Sequence, residues 1–182
     1  MDYVLAAFSY LTPAFQQKSV DQMPLSEAEK AIVKELVAGW GKTRTVDLLK
    51  GLSEKYGQAA PEAVGKFVAE STKQDYAAIG ARVAHEGTEI EDFIQVLWGP
   101  LAEQGFVYTS ETRGTDMEFH VTKCPLHSLA EMTGLHDWLF QLACATDFYS
   151  ATSFSPKINF TRTKTLMEGC DCCNHCYSYK KS

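Results

Sequence analysis

The side chains with the most chemistry to offer are six cysteines, Cys124, Cys144, Cys170, Cys172, Cys173 and Cys176, none of them in the first hundred residues. A thiol can act as nucleophile, metal ligand or small buried apolar group, so this confinement nominates the C-terminal part as the site without choosing a reaction. Four of the six sit in the run Gly169-Cys170-Asp171-Cys172-Cys173-Asn174-His175-Cys176-Tyr177. Two geometries compete for that run. On a strand, the period of two sends Cys170, Cys172 and Cys176 to one face and Cys173, His175, Tyr177 and Tyr179 to the other, and four thiols so divided cannot reach one ion. As an irregular loop, Cys-x-Cys-Cys-x-x-Cys would hold zinc or an iron–sulfur cluster through Cys170, Cys172, Cys173 and Cys176.

A sparser constellation stands beside it. Cys144 and Asp147 are three apart on a predicted helix and so share a face, while Cys124 stands where a hairpin hands over to the first helix of a pair. A sheet packed under that pair would bring Cys124, Cys144, Asp147 and Cys173 together. Asp147 would raise the pKa of an adjacent Cys144 thiol, which leaves Cys173 as the better nucleophile and Asp147 as the better base. Arg162, in a strand near these groups, would either hold a substrate carboxylate with its guanidinium fork or pair with an acid on the sheet. His120, His136 and His175 are secondary candidates for acid–base work, and His85 and His127 read as surface or capping groups. For any one cysteine, a buried apolar role stands level with the chemical one.

The elements that must position these residues follow from periodicity. Val4, Leu5, Phe8, Leu11 and Phe15 form one helical stripe, interrupted at Pro13. Ser26 with Glu29 has capping-box spacing and opens a helix carrying Ile32, Leu36 and Trp40. Further helices are predicted over 43–56, over 60–73 and on to 85, and from Thr88 with Ile90, Phe93, Ile94, Leu97 and Trp98 until Pro100 bends or ends it. Residues 106–112 and 116–123 alternate about the turn Arg113-Gly114-Thr115, which predicts a β-hairpin. A short helix over 126–132, a longer one from His136 to about Ala151, a Thr-rich strand over 157–166 and the cysteine-rich strand complete the chain.

The expected architecture is α+β: a helical layer over 1–104, then a hairpin, two helices and a second hairpin over 105–179, with one antiparallel sheet in a single domain. A chain of 182 residues, 45% hydrophobic and 22% charged, can bury a sizeable core. The net charge of −6 argues against nucleic acid as a partner. No apolar run reaches the ~18 residues a membrane span needs, and the start lacks a basic signal-peptide region. A cytoplasmic, reducing setting is expected, with the cysteines as thiols and a small molecule as substrate.

The succession Phe119-His-Val121-Thr-Lys-Cys124-Pro-Leu, Cys144-Ala-Thr-Asp147, Phe160-Thr-Arg162-Thr163-Lys-Thr165-Leu166-Met-Glu-Gly169 and Cys173 resembles the L-2-amino-thiazoline-4-carboxylic acid hydrolase family. The resemblance runs from about Trp98 to Tyr177 in the same order. It implies a small hydrolase that opens a cyclic amidine, with Cys124, Cys144, Asp147, Arg162 and Cys173 as the family-like residues. The ending departs from the family pattern: Asn174 stands for an Asp and His175 for an aromatic residue, and Cys170, Cys172 and Cys176 are additions. The same ending is also similar to 4-vinyl reductase-like ligand-binding domains, some of which hold zinc through cysteines. Two functions therefore stand open, a cysteine-centred hydrolase and a zinc or iron–sulfur protein that binds a small ligand.

Overall fold

A computed structural model describes residues 2–181. Its helices are α1 (Tyr3–Ala7), α2 (Thr12–Gln17), α3 (Glu27–Gly39), α4 (Thr45–Tyr56), α5 (Ala59–Val83), α6 (Glu89–Glu103), α7 (Pro125–Thr133), α8 (His136–Leu142) and α9 (Asp147–Phe154). Its strands are β1 (Val107–Arg113), β2 (Asp116–Lys123), β3 (Ile158–Thr161) and β4 (Cys173–Tyr179), which form one antiparallel sheet in the order β1-β2-β4-β3. The protein is α+β, helices first. It divides into two compact units, one made of the chain up to Ser71 with Leu129–Thr146, the other of Thr72–Ser128 with the chain from Asp147 on.

In the first unit the capping box forms as its spacing demands. The Ser26 hydroxyl accepts the Glu29 N–H at 3.3 Å, and the Ser26 N–H donates to the Glu29 carboxylate at 2.8 Å. Replacing Ser26 with Ala is expected to cost about 1 kcal/mol in denaturant unfolding, since it strands an N-terminal N–H that no helix carbonyl can reach. Val33, Leu36, Leu49, Val64, Phe67, Leu139 and Leu142 are fully buried. The Trp40 and Trp138 indoles donate to Thr12 at 3.1 Å and Ser53 at 2.8 Å, so neither buried ring leaves its N–H unpaired. Pro13 opens α2 after a 3-10 turn at Ser9–Leu11, dividing the predicted N-terminal stripe into two short helices.

The second unit holds the sheet. Phe119, Val121, Phe160, Cys173, His175 and Tyr177 are buried on its inner face, while Asn174 and Cys176 alternate with them and are half-exposed. Helix α6 lies against that face: Phe93 meets Tyr177 at 5.3 Å between ring centroids, and Trp98 stacks on Phe119 at 4.2 Å. The Trp98 indole donates to the Tyr177 hydroxyl at 3.1 Å, satisfying a donor and an acceptor in a buried pair. Pro100 does not end α6, which runs on to Glu103. A proline near the end of a helix forfeits one N–H bond, a loss that the aromatic packing of this face outweighs.

Two expectations for the C-terminal part are corrected. The helix predicted from His136 to about Ala151 stops at Leu142, gives way to a 3-10 turn at Cys144–Thr146 and restarts at Asp147. Cys144 and Asp147 therefore do not share a helical face, and they belong to different units. The strand predicted over 157–166 ends at Thr161. Beyond it, the Asn174 side-chain carbonyl accepts the N–H groups of Thr163 at 3.0 Å and Lys164 at 2.7 Å. The cysteine-rich strand begins only at Cys173, so Cys170 and Cys172 lie in the loop before it.

Candidate functional site

The candidate side chains of the second unit gather where β4, the start of α9 and the segment after β3 approach one another. The alternation of β4 turns Cys173, His175 and Tyr177 inward, opposite Val121, Phe119 and Met117 of β2. Asp147 is the first residue of α9, where an acidic side chain complements the helix dipole. Arg162 follows the last residue of β3. One carboxylate oxygen, Asp147 Oδ2, pairs with Arg162 Nη1 and also lies 3.1 Å from His175 Nε2. All three side chains are largely buried, with 24% of Asp147, 12% of Arg162 and 10% of His175 exposed.

His175 is walled by rings. Trp98 stands edge-on at 5.1 Å and Phe160 is tilted at 5.9 Å. The second ring nitrogen, Nδ1, is buried and has no hydrogen-bond partner among the described residues. A buried polar atom left so costs about 1–3 kcal/mol, and such atoms in a folded protein call for a reason.

The thiols beside this cluster are held neutral. Burial pushes Cys173 up to about 11; the charges of Cys124 and Asp147 add to that, and the Leu166 N–H, 3.2 Å from the sulfur, and Arg162 only partly oppose it. Burial also raises Cys124, with Asp147 contributing, although its sulfur takes the N–H groups of His127 and Leu126 in the first turn of α7. Tyr76 is pushed up to about 12 by burial and by Asp147, and complete burial raises Tyr177 well above its ordinary value.

The structure thus brings Cys124, Asp147, Arg162, Cys173 and His175 into one electrostatic neighbourhood. Cys144 lies in the first unit, half-buried in its 3-10 turn, and carries no disulfide. The four-cysteine metal set is not assembled, because among the described residues no three of those sulfurs lie within 4.8 Å of one another. The pleat explains this: Cys173 points into the core, and Cys176 points out beside Glu118 and Thr161. Cys170 and Cys172 flank Asp171, which is tied to Lys164 at 3.2 Å. Burial and Asp171 raise the Cys172 thiol as well.

With this geometry in view, one comparison decides the family. The model described as L-2-amino-thiazoline-4-carboxylic acid hydrolase matches residues 25–177. The chain belongs to that family. No curated protein matches it. The matched span includes every residue of the cluster, and membership in the L-2-amino-thiazoline-4-carboxylic acid hydrolase family gives the chain a hydrolase-like function in general. No helix among the described residues is long and apolar enough to cross a membrane.

The sequence named Cys124, Asp147, Arg162, Cys173 and His175 but did not connect His175 to Asp147, nor did it single out Trp98 and Tyr177 beside them. The inward alternation of β4 was the available signal for the ring. The restart of the helix at Asp147 was signalled only by Thr146-Asp147, a pair suited to a helix start.

Proposed function

We propose that this protein hydrolyses a C–N bond in a small cyclic amidine bearing a carboxylate, the substrate class named in the family's description. The observation that supports this best is the Asp147 carboxylate oxygen shared by Arg162 and His175 in a mostly buried, ring-walled setting. Hydrolysis of an amidine adds water at the central carbon and moves a proton to the departing nitrogen, and a histidine oriented by a carboxylate is suited to that transfer. Arg162 neutralises Asp147 within the cluster, which makes the acid pair of the two sequence readings of Arg162 the one favoured here.

The thiols serve this reading as lining. With Cys173 pushed up to about 11, roughly one molecule in ten thousand carries the thiolate at pH 7. Water activated at the Asp147–His175 pair is therefore preferred over attack by sulfur. The test is to incubate the purified protein with 2-amino-thiazoline-4-carboxylate and a panel of other cyclic amidines, following ring opening by chromatography. Turnover of at least one member is expected, and a folded protein that opens none of them overturns the reading. Replacing Cys173 with Ser is expected to lower kcat by less than ~10-fold, and a loss of ~10⁴-fold would restore the covalent thiol route.

A further inference from the structure

Apart from the buried cluster, a second group of ligand-bearing side chains stands at the surface of α7. His127 and Glu131 are four apart in that helix and so share a face. Gly134, at φ +71°, takes the left-handed conformation that closes the helix and turns the chain, and His136 then opens α8 beside them. One ligand atom from each of His127, Glu131 and His136 lies within 4.8 Å of the other two, and His136 Nε2 stands 2.7 Å from Glu131 Oε1. Helix α7 is unbroken from Pro125 to Thr133, so the local path of one short stretch of chain sets the cluster.

The backbone beneath these side chains is anchored, while their tips have room to turn. Leu129, Ala130, Leu135, Trp138 and Leu139 are buried, and the Trp138 indole is tied to Ser53. The side chains of His136 and Glu131 are 39% and 61% exposed, and His127 is half-buried. Two ligand atoms of one tetrahedral zinc ion stand about 3.3 Å apart. Glu131 and His136 would open by roughly 0.6 Å to meet that spacing, and His127 would close by at most about 1.5 Å, which is within the reach of side-chain rotation. Two imidazoles with one carboxylate suit a transition metal and disfavour magnesium and calcium, which prefer oxygen alone. His136 also lines a cleft of about 510 Å³, together with Lys50, Glu54, Asp137 and Trp138. Solvent-sized space therefore borders one of the three ligands.

We propose that His127, Glu131 and His136 bind a divalent transition-metal ion of the zinc class. Three protein ligands leave a further position for water, or for a donor atom of a molecule lodged in the cleft. The ion would also clip the start of α8 to α7 across the turn at Gly134. This site shares no residue with the four-cysteine set or with the Asp147 cluster, so it stands independently of the hydrolase reading.

The experiment uses zinc chloride alone with the metal-stripped full chain, in competition with a chromophoric chelator. Binding of a single equivalent in the micromolar range or tighter is expected. His136→Ala and Glu131→Gln should each weaken it by ~10²-fold or more, because each removes one of three ligands. Cys172→Ser should leave it unchanged. No binding by the wild type, wild-type affinity in both ligand variants, or an affinity that falls with Cys172→Ser instead overturns the proposal. The second measurement needs no variant. X-ray absorption at the zinc edge of the loaded wild type should show nitrogen and oxygen neighbours at about 2.0–2.2 Å and no sulfur near ~2.3 Å. A sulfur shell overturns the proposal even if the variants fail to fold. No cyclic amidine enters either measurement, so failure here leaves the hydrolase reading to its own test.

Discussion

Replacing Asp147 with Asn is expected to lower kcat/KM by ~10³–10⁴-fold, the largest catalytic effect available from one atom in this site. The amide that replaces the carboxylate keeps an oxygen for the Arg162 and His175 donors, which share one atom of Asp147, but it loses the charge that would stabilise a protonated ring. The same change leaves the Arg162 guanidinium, with 12% of its side chain exposed, facing a neutral group. Breaking a buried ion pair from one side costs about 3–5 kcal/mol, and with 24% of the Asp147 side chain exposed about 2 kcal/mol is the better expectation. Steady-state kinetics and denaturant unfolding separate the two consequences. A folded Asp147→Asn variant within tenfold of wild-type activity would remove Asp147 from the mechanism.

The largest effect on stability is expected at a backbone contact. A Cβ placed on Gly80 would lie 1.9 Å from the Phe154 carbonyl oxygen and 2.7 Å from its carbon. Backbone cannot rotate aside as a side chain can, so α5 and the end of α9 must separate in the Gly80→Ala variant. Phe154, which meets Phe93 edge-on at 5.4 Å, and the fully buried Ala151 would lose their contacts with the core. The destabilisation is expected to be about 3 kcal/mol or more, well beyond the ~1 kcal/mol that alanine gains over glycine in a helix. Gly51 in α4 is the matched control, since a Cβ there meets nothing within 4 Å. Gly51→Ala is expected to stabilise by roughly 0.5–1 kcal/mol. Opposite signs from one substitution on two helices would establish the contact, and equal midpoints of unfolding would refute it. Asp147 begins the helix whose other end Phe154 holds, so the Gly80→Ala variant should lose activity as well.

Local pattern carried the fold, and long-range geometry carried the site. The turn residues Arg113-Gly114-Thr115 and the alternation of Met117, Phe119 and Val121 are short-range signals, and β2 runs over the residues they mark. Ser26 and Glu29 likewise specify their cap within four residues. The break at Ala143–Thr146 was faintly marked, because no Gly or Pro interrupts the chain between Leu135 and Ser155 and only Thr146-Asp147 signals a restart. That missed break misplaced Cys144. The reactivity of the thiols was not legible for a different reason: spacing shows which way a cysteine points, whereas its reactivity is set by burial and neighbouring charge. Cys173 faces inward as the pleat requires, and the same inward turn suppresses its thiolate. The meeting of His175 with Asp147 joins residues 28 apart in sequence, and no local pattern encodes it.

At position 174 the resemblance drawn from the sequence leads one to expect an aspartate, and the way β3 ends shows how asparagine serves there. The Asn174 side chain impersonates a length of missing strand: its oxygen receives two main-chain N–H groups, and its nitrogen donates to the Thr163 hydroxyl at 2.9 Å. An aspartate could receive the same two N–H groups, and Thr163 could reverse its hydroxyl to supply the third bond. Asparagine and aspartate are thus interchangeable splices at this junction. Asn174 fixes the backbone just past Arg162, at the point where the strand lets go.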